Sequence, residues 1–343
     1  MENRANAERG EYLSAGGAAV SEAYSEQTAA GSLSARWRTA DSFLGRCFPL
    51  IVRGATGIFV LLIAALFVEL FLNSLPSIRQ FGLSFLWTSE WNPVTEHFGA
   101  LPFIFGTVVS SLIAVVIAAG VGILGAAFLA EFAPRFVAAP LGNLIELLAA
   151  VPSVVYGLWG LFAFAPAMQH YIEPAIGRYL GFLPIFGGAA YGVGLLTAAL
   201  ILSVMIVPTI TAISRDLLLA VPSDLREAML ALGATRWDAF KMVVLPYARP
   251  GIFGACILGL GRALGETIAT TMVIGNRPAI SVSLFAPAYT LSSVIANEFT
   301  EATTTVYLSA LVELGLVLFL ISVLINSLAR LLMRTVFGAE SRI

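Results

Sequence analysis

Arg262 and Glu266 stand inside an apolar run of 25 residues, Gly251 to Gly275 (GIFGACILGLGRALGETIATTMVIG). An arginine at the centre of a bilayer costs at least about 2.5–3.5 kcal/mol. The spacing of four residues predicts a shared helix face and pairing reach. At about 1.5 Å per residue Arg262 would lie roughly 16 Å from Gly251, near the middle of a hydrocarbon core about 30 Å thick. A guanidinium holds two oxygens of an oxyanion in its planar fork, and a carboxylate beside it accepts a hydrogen bond only from an anion that has kept a proton. The pair reads either as a neutralised packing element or as the lining of a path for such an anion. The second reading follows because intramembrane charges face an interior or a water-filled cavity. Gly261 and Gly265 add a small-xxx-small pattern that leaves room for another helix or a solute.

Other reactive chemistry is scarce. The lone lysine, Lys241, lies between Phe240 and Met242, so the sequence contains no Gly-x4-Gly-Lys-Ser/Thr phosphate loop. Schiff-base chemistry is excluded on the same ground. Two histidines, His97 and His170, and two cysteines, Cys47 and Cys256, show no metal-ligand spacing. The cysteines read as small apolar residues and the histidines as solvated ones. No catalytic, metal-binding or cofactor-binding residue is expected, and the chain reads as something other than an enzyme.

The elements that must position Arg262 and Glu266 follow from composition. Of 343 residues, 12% are charged and 58% apolar, against about 25% charged in a soluble domain. Such a chain cannot cover a water-facing surface, and with a net charge of −2 it does not read as a nucleic-acid binder. Lipid is its expected solvent. Six apolar runs, about 54–75, 104–130, 141–165, 187–213, 251–275 and 306–329, each suffice to cross a membrane as a helix. The first begins too late and runs too long for a signal peptide, and reads as a retained anchor. With the N-terminus inside, the inner segments carry 15 basic residues and the outer ones three, Arg79, Arg178 and Arg277. This asymmetry predicts six helices with both termini cytosolic. The expected organisation is a disordered cytosolic tail over 1–45, a transmembrane domain over 46–335 containing a cytosolic loop over 214–250, and a second cytosolic tail over 336–343. Glu69, Glu131, Glu146 and Glu313 receive no assigned role.

The loop around 214–250 reads as an elbow of two short helices. Ser223 is an expected N-cap for a helix over 224–232, and Gly233 suits the left-handed residue that ends it. Thr235 and Asp238 form a candidate capping box for the second helix, with Pro246 and Pro250 expected to stop it. Glu227-Ala228-Met229, three residues, Gly233, nine residues and Val243-Val244-Leu245-Pro246 resemble the EAA motif of ABC importer permeases, with Met229 and Val243 as departures. The resemblance implies a coupling helix docked on a separate ATPase. Leu225, Met229 and Leu232 would be its apolar anchors, Glu227, Ala228 and Gly233 its motif residues, and Leu245 and Pro246 the end of the motif.

Three further segments, 85–114 (with Trp87-Thr88-Ser89-Glu90-Trp91-Asn92-Pro93), 151–161 (VPSVVYGLWGL) and 259–269 (GLGRALGETIA), resemble the PstC-type permeases of the bacterial phosphate ABC importer. Gly120 departs from that pattern, where such permeases often carry proline, and leaves the local helix geometry open. The likeness extends over about residues 50–335. It implies an all-α integral membrane protein of the type I ABC importer permease fold, multi-pass in the bacterial inner membrane. Its implied partners are a PstA-type permease, two copies of a PstB-type ATPase that binds ATP and magnesium, a periplasmic PstS-type binding protein, inorganic phosphate and lipid. It also implies that Arg262 and Glu266 line the substrate path. Phosphate near pH 7 keeps at least one proton and sulfate keeps none, in accord with an Arg-plus-Glu site. The competing readings are a permease for sulfate, molybdate or phosphonate, and a stand-alone secondary carrier. Within 76–103, Phe85, Trp87 and Trp91 are candidates either for contact with the binding protein or for a membrane interface.

Overall fold

The computed structural model describes residues 48–337. The tail expected over 1–45, and residues 338–343 of the second tail, lie outside the described residues. Helix α1 spans 48–81. It is followed by α2 (Leu101–Phe132), α3 (Arg135–Ala149), α4 (Ser153–Leu180), α5 (Leu195–Leu219), α6 (Ser223–Ala231), α7 (Arg236–Leu264), α8 (Ile268–Val273), α9 (Leu291–Glu298) and α10 (Thr305–Phe337). Among the described residues, extended pairing is limited to one antiparallel bridge between Asn92 and His97. Helices α1, α2, α5, α7 and α10 are long and apolar enough to cross a membrane, and the bent pair α3–α4 makes a sixth crossing if counted as one. The chain is an all-α, multi-pass membrane protein. Its described residues fall into two compact units, 48–68 and 69–337. The packing described below lies within the second.

Helix α5 is the central helix: 67% of its most apolar window is buried, against 33% for α2 and 28% for α7. Ile201, Leu202, Met205, Ile206 and Ile210 of α5 pack with Ala114 and Ala118 of α2, Ala263 of α7, and Ala269 and Val273 of α8. At Gly122 a Cβ would come within 3.1 Å of the Ile210 side chain, so the missing side chain is what lets α2 lie this close to α5. Outward-facing apolar residues, such as Leu112, Val116 and Leu124 of α2, are more than half exposed, as lipid-facing positions require.

Two of the expected spans, and the loop that follows the second of them, differ in detail. The run 141–165 is not one straight helix: α3 and α4 meet at 91°. Pro152 has no N–H to donate and pushes Val151 out of helical geometry. The Tyr156 hydroxyl donates to the Leu148 carbonyl (3.0 Å), tying the two arms together. The run 187–213 becomes α5 at Leu195–Leu219. Its glycine-rich start stays outside the helix, and the first α5 amides donate to the main chain: Leu195 to Ala286 and Leu196 to Leu284. Helix α5 also continues through Arg215 and Asp216, and α7 starts at Arg236, so the expected 214–250 loop contracts to the segment around α6.

The prolines explain why α7 is continuous where a stop was expected. Among the described residues, four π turns, 128–132, 160–164, 168–172 and 240–244, each end two residues before a proline: Pro134, Pro166, Pro174 and Pro246. A π turn carries one extra residue, so one carbonyl lacks an amide, and the proline supplies that missing donor position. Pro246 is thereby accommodated at the head of the regular α-helical segment of α7, and Pro250 sits inside it. At Pro134 the chain leaves the helix instead. Gly120 does not interrupt α2.

Candidate functional site

The run 251–275 breaks between its two charged residues. Helix α7 ends at Leu264 with Gly265 as its C-cap, and the chain leaves helical geometry before α8 begins at Ile268. Arg262 and Glu266 therefore do not share a helix face. No ion pair joins Arg262 to a carboxylate among the described residues. The expected i,i+4 pair is corrected to two separate groups on either side of a break. The reason is local: the cap at Gly265 ends the helix before the turn that would carry Glu266 is complete. Because α7 starts at Arg236, Arg262 is also in the last helical turn and not mid-helix, where the negative helix end favours a cation.

Arg262 donates from Nη1 to the Thr209 hydroxyl at 3.2 Å. Thr209 follows Pro208, the proline inside α5, and the central helix presents it to Arg262 from an unbroken helical stretch. Both Arg262 and Thr209 are half-buried. Glu266 is oriented by its own neighbourhood: Oε1 accepts from the Ala269 amide (3.2 Å), and its carbonyl accepts from the Ser292 hydroxyl of α9 (2.8 Å). With one guanidinium hydrogen bond to a neutral hydroxyl and no anionic partner among the described residues, Arg262 has donors left for an anion. Thr209 was missed in the sequence because a threonine in an apolar run carries no signal of its own.

The EAA-like segment is a surface feature. No side chain of α6 is buried. Leu225, Glu227, Ala228, Leu232 and Gly233 are exposed, and Met229 is half-buried. Gly233 adopts φ +84°, and the amides of Gly233 and Ala234 donate to the carbonyls of Leu230 (3.0 Å) and Met229 (3.2 Å), closing α6 in a Schellman turn. Thr235 and Asp238 form the expected reciprocal capping box. Ser223 does not cap α6: its hydroxyl donates to Asp224 Oδ1 at 3.4 Å, and the helix begins at Ser223 itself, after Pro222. Leu245 packs against the core of Leu218, Val221, Phe240 and Val244, and Pro246 is half-buried in α7, so these two stand apart from the exposed face.

Of Phe85, Trp87 and Trp91, only Trp87 is exposed, at 74%, while Phe85 is fully buried. Trp91 packs on Phe98 and Phe103 and donates its Nε1 to Glu298 (2.8 Å). Glu131 pairs with Arg226 (2.9 Å), Glu146 meets Arg215 at 3.5 Å, and Glu69 accepts from Asn73 (2.7 Å). Glu313 is buried on α10 beside Ser77.

Residues 121–338 match the family described as binding-protein-dependent transport system inner membrane component. The phosphate transport system permease protein PstC of Mesorhizobium japonicum is 49% identical over 292 residues, covering 84% of this chain and 89% of that protein. The protein of the same name from Pasteurella multocida is 47% identical over 286 residues, 82% of this chain and 89% of that one. A solved bacterial alginate ABC transporter, in complex with an alginate pentasaccharide-bound periplasmic protein, aligns over 86% of this chain and 97% of its own with a TM-score of 0.58. At 15% identity it speaks for the fold. Together with the helix-capping EAA-like segment, matches of this identity and length make the chain a member of the binding-protein-dependent transport inner-membrane components and, within them, of the PstC-type permeases.

Proposed function

We propose that this chain is the PstC-type permease subunit of an ATP-driven phosphate importer, forming half of the translocation path across the bacterial inner membrane. The observation that carries the substrate path is Arg262. It is a cation in a membrane-crossing helix, beside a helix break, held by Thr209 with no carboxylate partner among the described residues. Leaving such a charge unpaired costs at least about 2.5–3.5 kcal/mol, a cost that an anion in transit offsets. Glu266, across the break, accepts a hydrogen bond from the protonated oxygen of phosphate and disfavours an anion that has none. The names of the relatives support the same substrate.

The path is coupled to ATP through a separate subunit, because the sequence holds no Walker-type lysine. Helix α6 is the docking element: Leu225, Met229 and Leu232 enter a groove of a PstB-type ATPase dimer that binds ATP and magnesium, and Glu227, Ala228 and Gly233 shape the turn. The excess of basic residues at this end, 15 against three, supports a cytosolic position for α6 and both termini. A PstA-type permease completes the path, and a periplasmic PstS-type protein delivers phosphate to the opposite face.

The test is phosphate uptake by the assembled complex in proteoliposomes carrying Arg262→Gln. Uptake should fall at least a hundredfold while the subunit remains inserted. Normal uptake would remove Arg262 from the path. Competition by sulfate, molybdate or phosphonate equal to that by phosphate would transfer the assignment to another oxyanion.

A further inference from the structure

Arg226 is the side chain that ties α6 inward. Its Nε and Nη2 donate to Glu131 Oε1 at 3.1 and 2.9 Å, Nη1 to the Val221 carbonyl at 2.6 Å, and Nη2 also to the Leu218 carbonyl at 2.6 Å. Three separate stretches of chain meet on one guanidinium. Glu131 lies in the π turn that ends α2, Leu218 in the last turn of α5, and Val221 in the link to α6. Both partners are largely shielded, with 22% of the Arg226 side chain and 15% of that of Glu131 exposed. Behind them, Leu218 and Val221 are buried with Ala126 and Ala127 of α2 and Phe240 and Val244 of α7. The Leu218 carbonyl also accepts from the Val221 amide at 3.4 Å. The last carbonyls of a helix lack their regular intrahelical amide, and a positive charge there adds a hydrogen bond and complements the helix dipole. Leu218 stands nine residues from Thr209, about 13 Å along α5, and Thr209 holds Arg262.

We propose that Arg226 is the positioning residue that locks α6 to the ends of α2 and α5, so that a displacement of α6 is carried by both helices and reaches Arg262 through Thr209. The planar fork is what the arrangement needs: its donors lie in one plane and reach Glu131 and two carbonyls at once, which a lysine ammonium cannot do. This inference rests on the reading that α6 docks on the ATP-hydrolysing partner.

The experiment uses the full complex in proteoliposomes, measuring phosphate uptake and ATP hydrolysis in the same vesicles. Arg226→Gln should lower the phosphate moved per ATP hydrolysed at least tenfold. Glu131→Gln should lower it less, because both carbonyl contacts survive, and the double variant should match Arg226→Gln. A wild-type ratio in Arg226→Gln overturns the proposal, including the case in which both rates fall in parallel. Arg226→Lys keeps the charge and loses the fork, and serves if the glutamine variant does not assemble. A threefold or larger drop in its ratio supports the proposal, and a wild-type ratio overturns it. A wild-type complex that hydrolyses ATP without moving phosphate removes the functional reading itself, whereas a phosphate-moving wild type beside unaffected variants removes only the role of Arg226.

Discussion

The two ends of α2 are secured by opposite means. At its start, rings interlock: Trp91 lies 4.8 Å from Phe98 and 4.9 Å from Phe103, and Phe98 stacks on Tyr307 at 5.2 Å. Glu298 closes this cluster by accepting from both Trp91 (2.8 Å) and Tyr307 (2.7 Å). Nearby, burial pushes the Tyr289 hydroxyl up to about 12, so it stays neutral while it accepts from Asn297. At the other end, α6 buries no side chain and is held by a Schellman turn, a capping box and the hydrogen bonds of Arg226. Close-packed rings resist displacement because any shift opens voids. A helix held by polar contacts at its margins moves as a unit at lower cost. The difference separates a scaffold from an element suited to being pushed.

The contrast can be broken at either end. The largest effect is expected from Trp91→Ala, which removes a ring from the cluster and leaves Glu298 short of a donor. A cost of about 3–5 kcal/mol should appear as a clear drop in the melting temperature of the detergent-solubilised complex. If melting barely changes and only ATPase stimulation is lost, the scaffold role of that end is wrong. Next in size is Gly233→Val, which forces a branched side chain into the left-handed region at roughly 1–2 kcal/mol. Because the strain is confined to the α6 turn, melting should shift little while ATPase binding or stimulated hydrolysis falls severalfold. Unchanged binding and stimulation would remove α6 as the docking element. The smallest is Thr235→Ala, which loses one side of the capping box at about 1 kcal/mol and should raise hydrogen exchange in residues 235–239 alone. Exchange that spreads along α7 would show the two ends to be less independent than their packing implies.

Much of this was legible in the residues because it depends on neighbours in sequence. Apolar runs longer than about 20 residues announce membrane helices whatever they pack against. Gly233 and the Thr235–Asp238 box are decided within a turn or two of chain, and each took the expected form. The prolines misled for a related reason. Pro246 forbids one hydrogen bond, but whether the chain stops or inserts a π turn depends on what holds the helix on both sides.

By itself, the sequence determined an all-helical membrane protein with one arginine in the fifth apolar run, one EAA-like elbow, and a resemblance that the relatives confirm. Those features reside in composition, order and short-range geometry. Tertiary structure alone decided that Arg262 answers to Thr209 and not to Glu266, that Trp91 packs against the core while Trp87 stays at the surface, and that Arg226 meets Glu131 from 95 residues away. Partners of that kind are chosen by which helices lie side by side. That arrangement is set by the summed burial of side chains around α5, which no window along the chain contains.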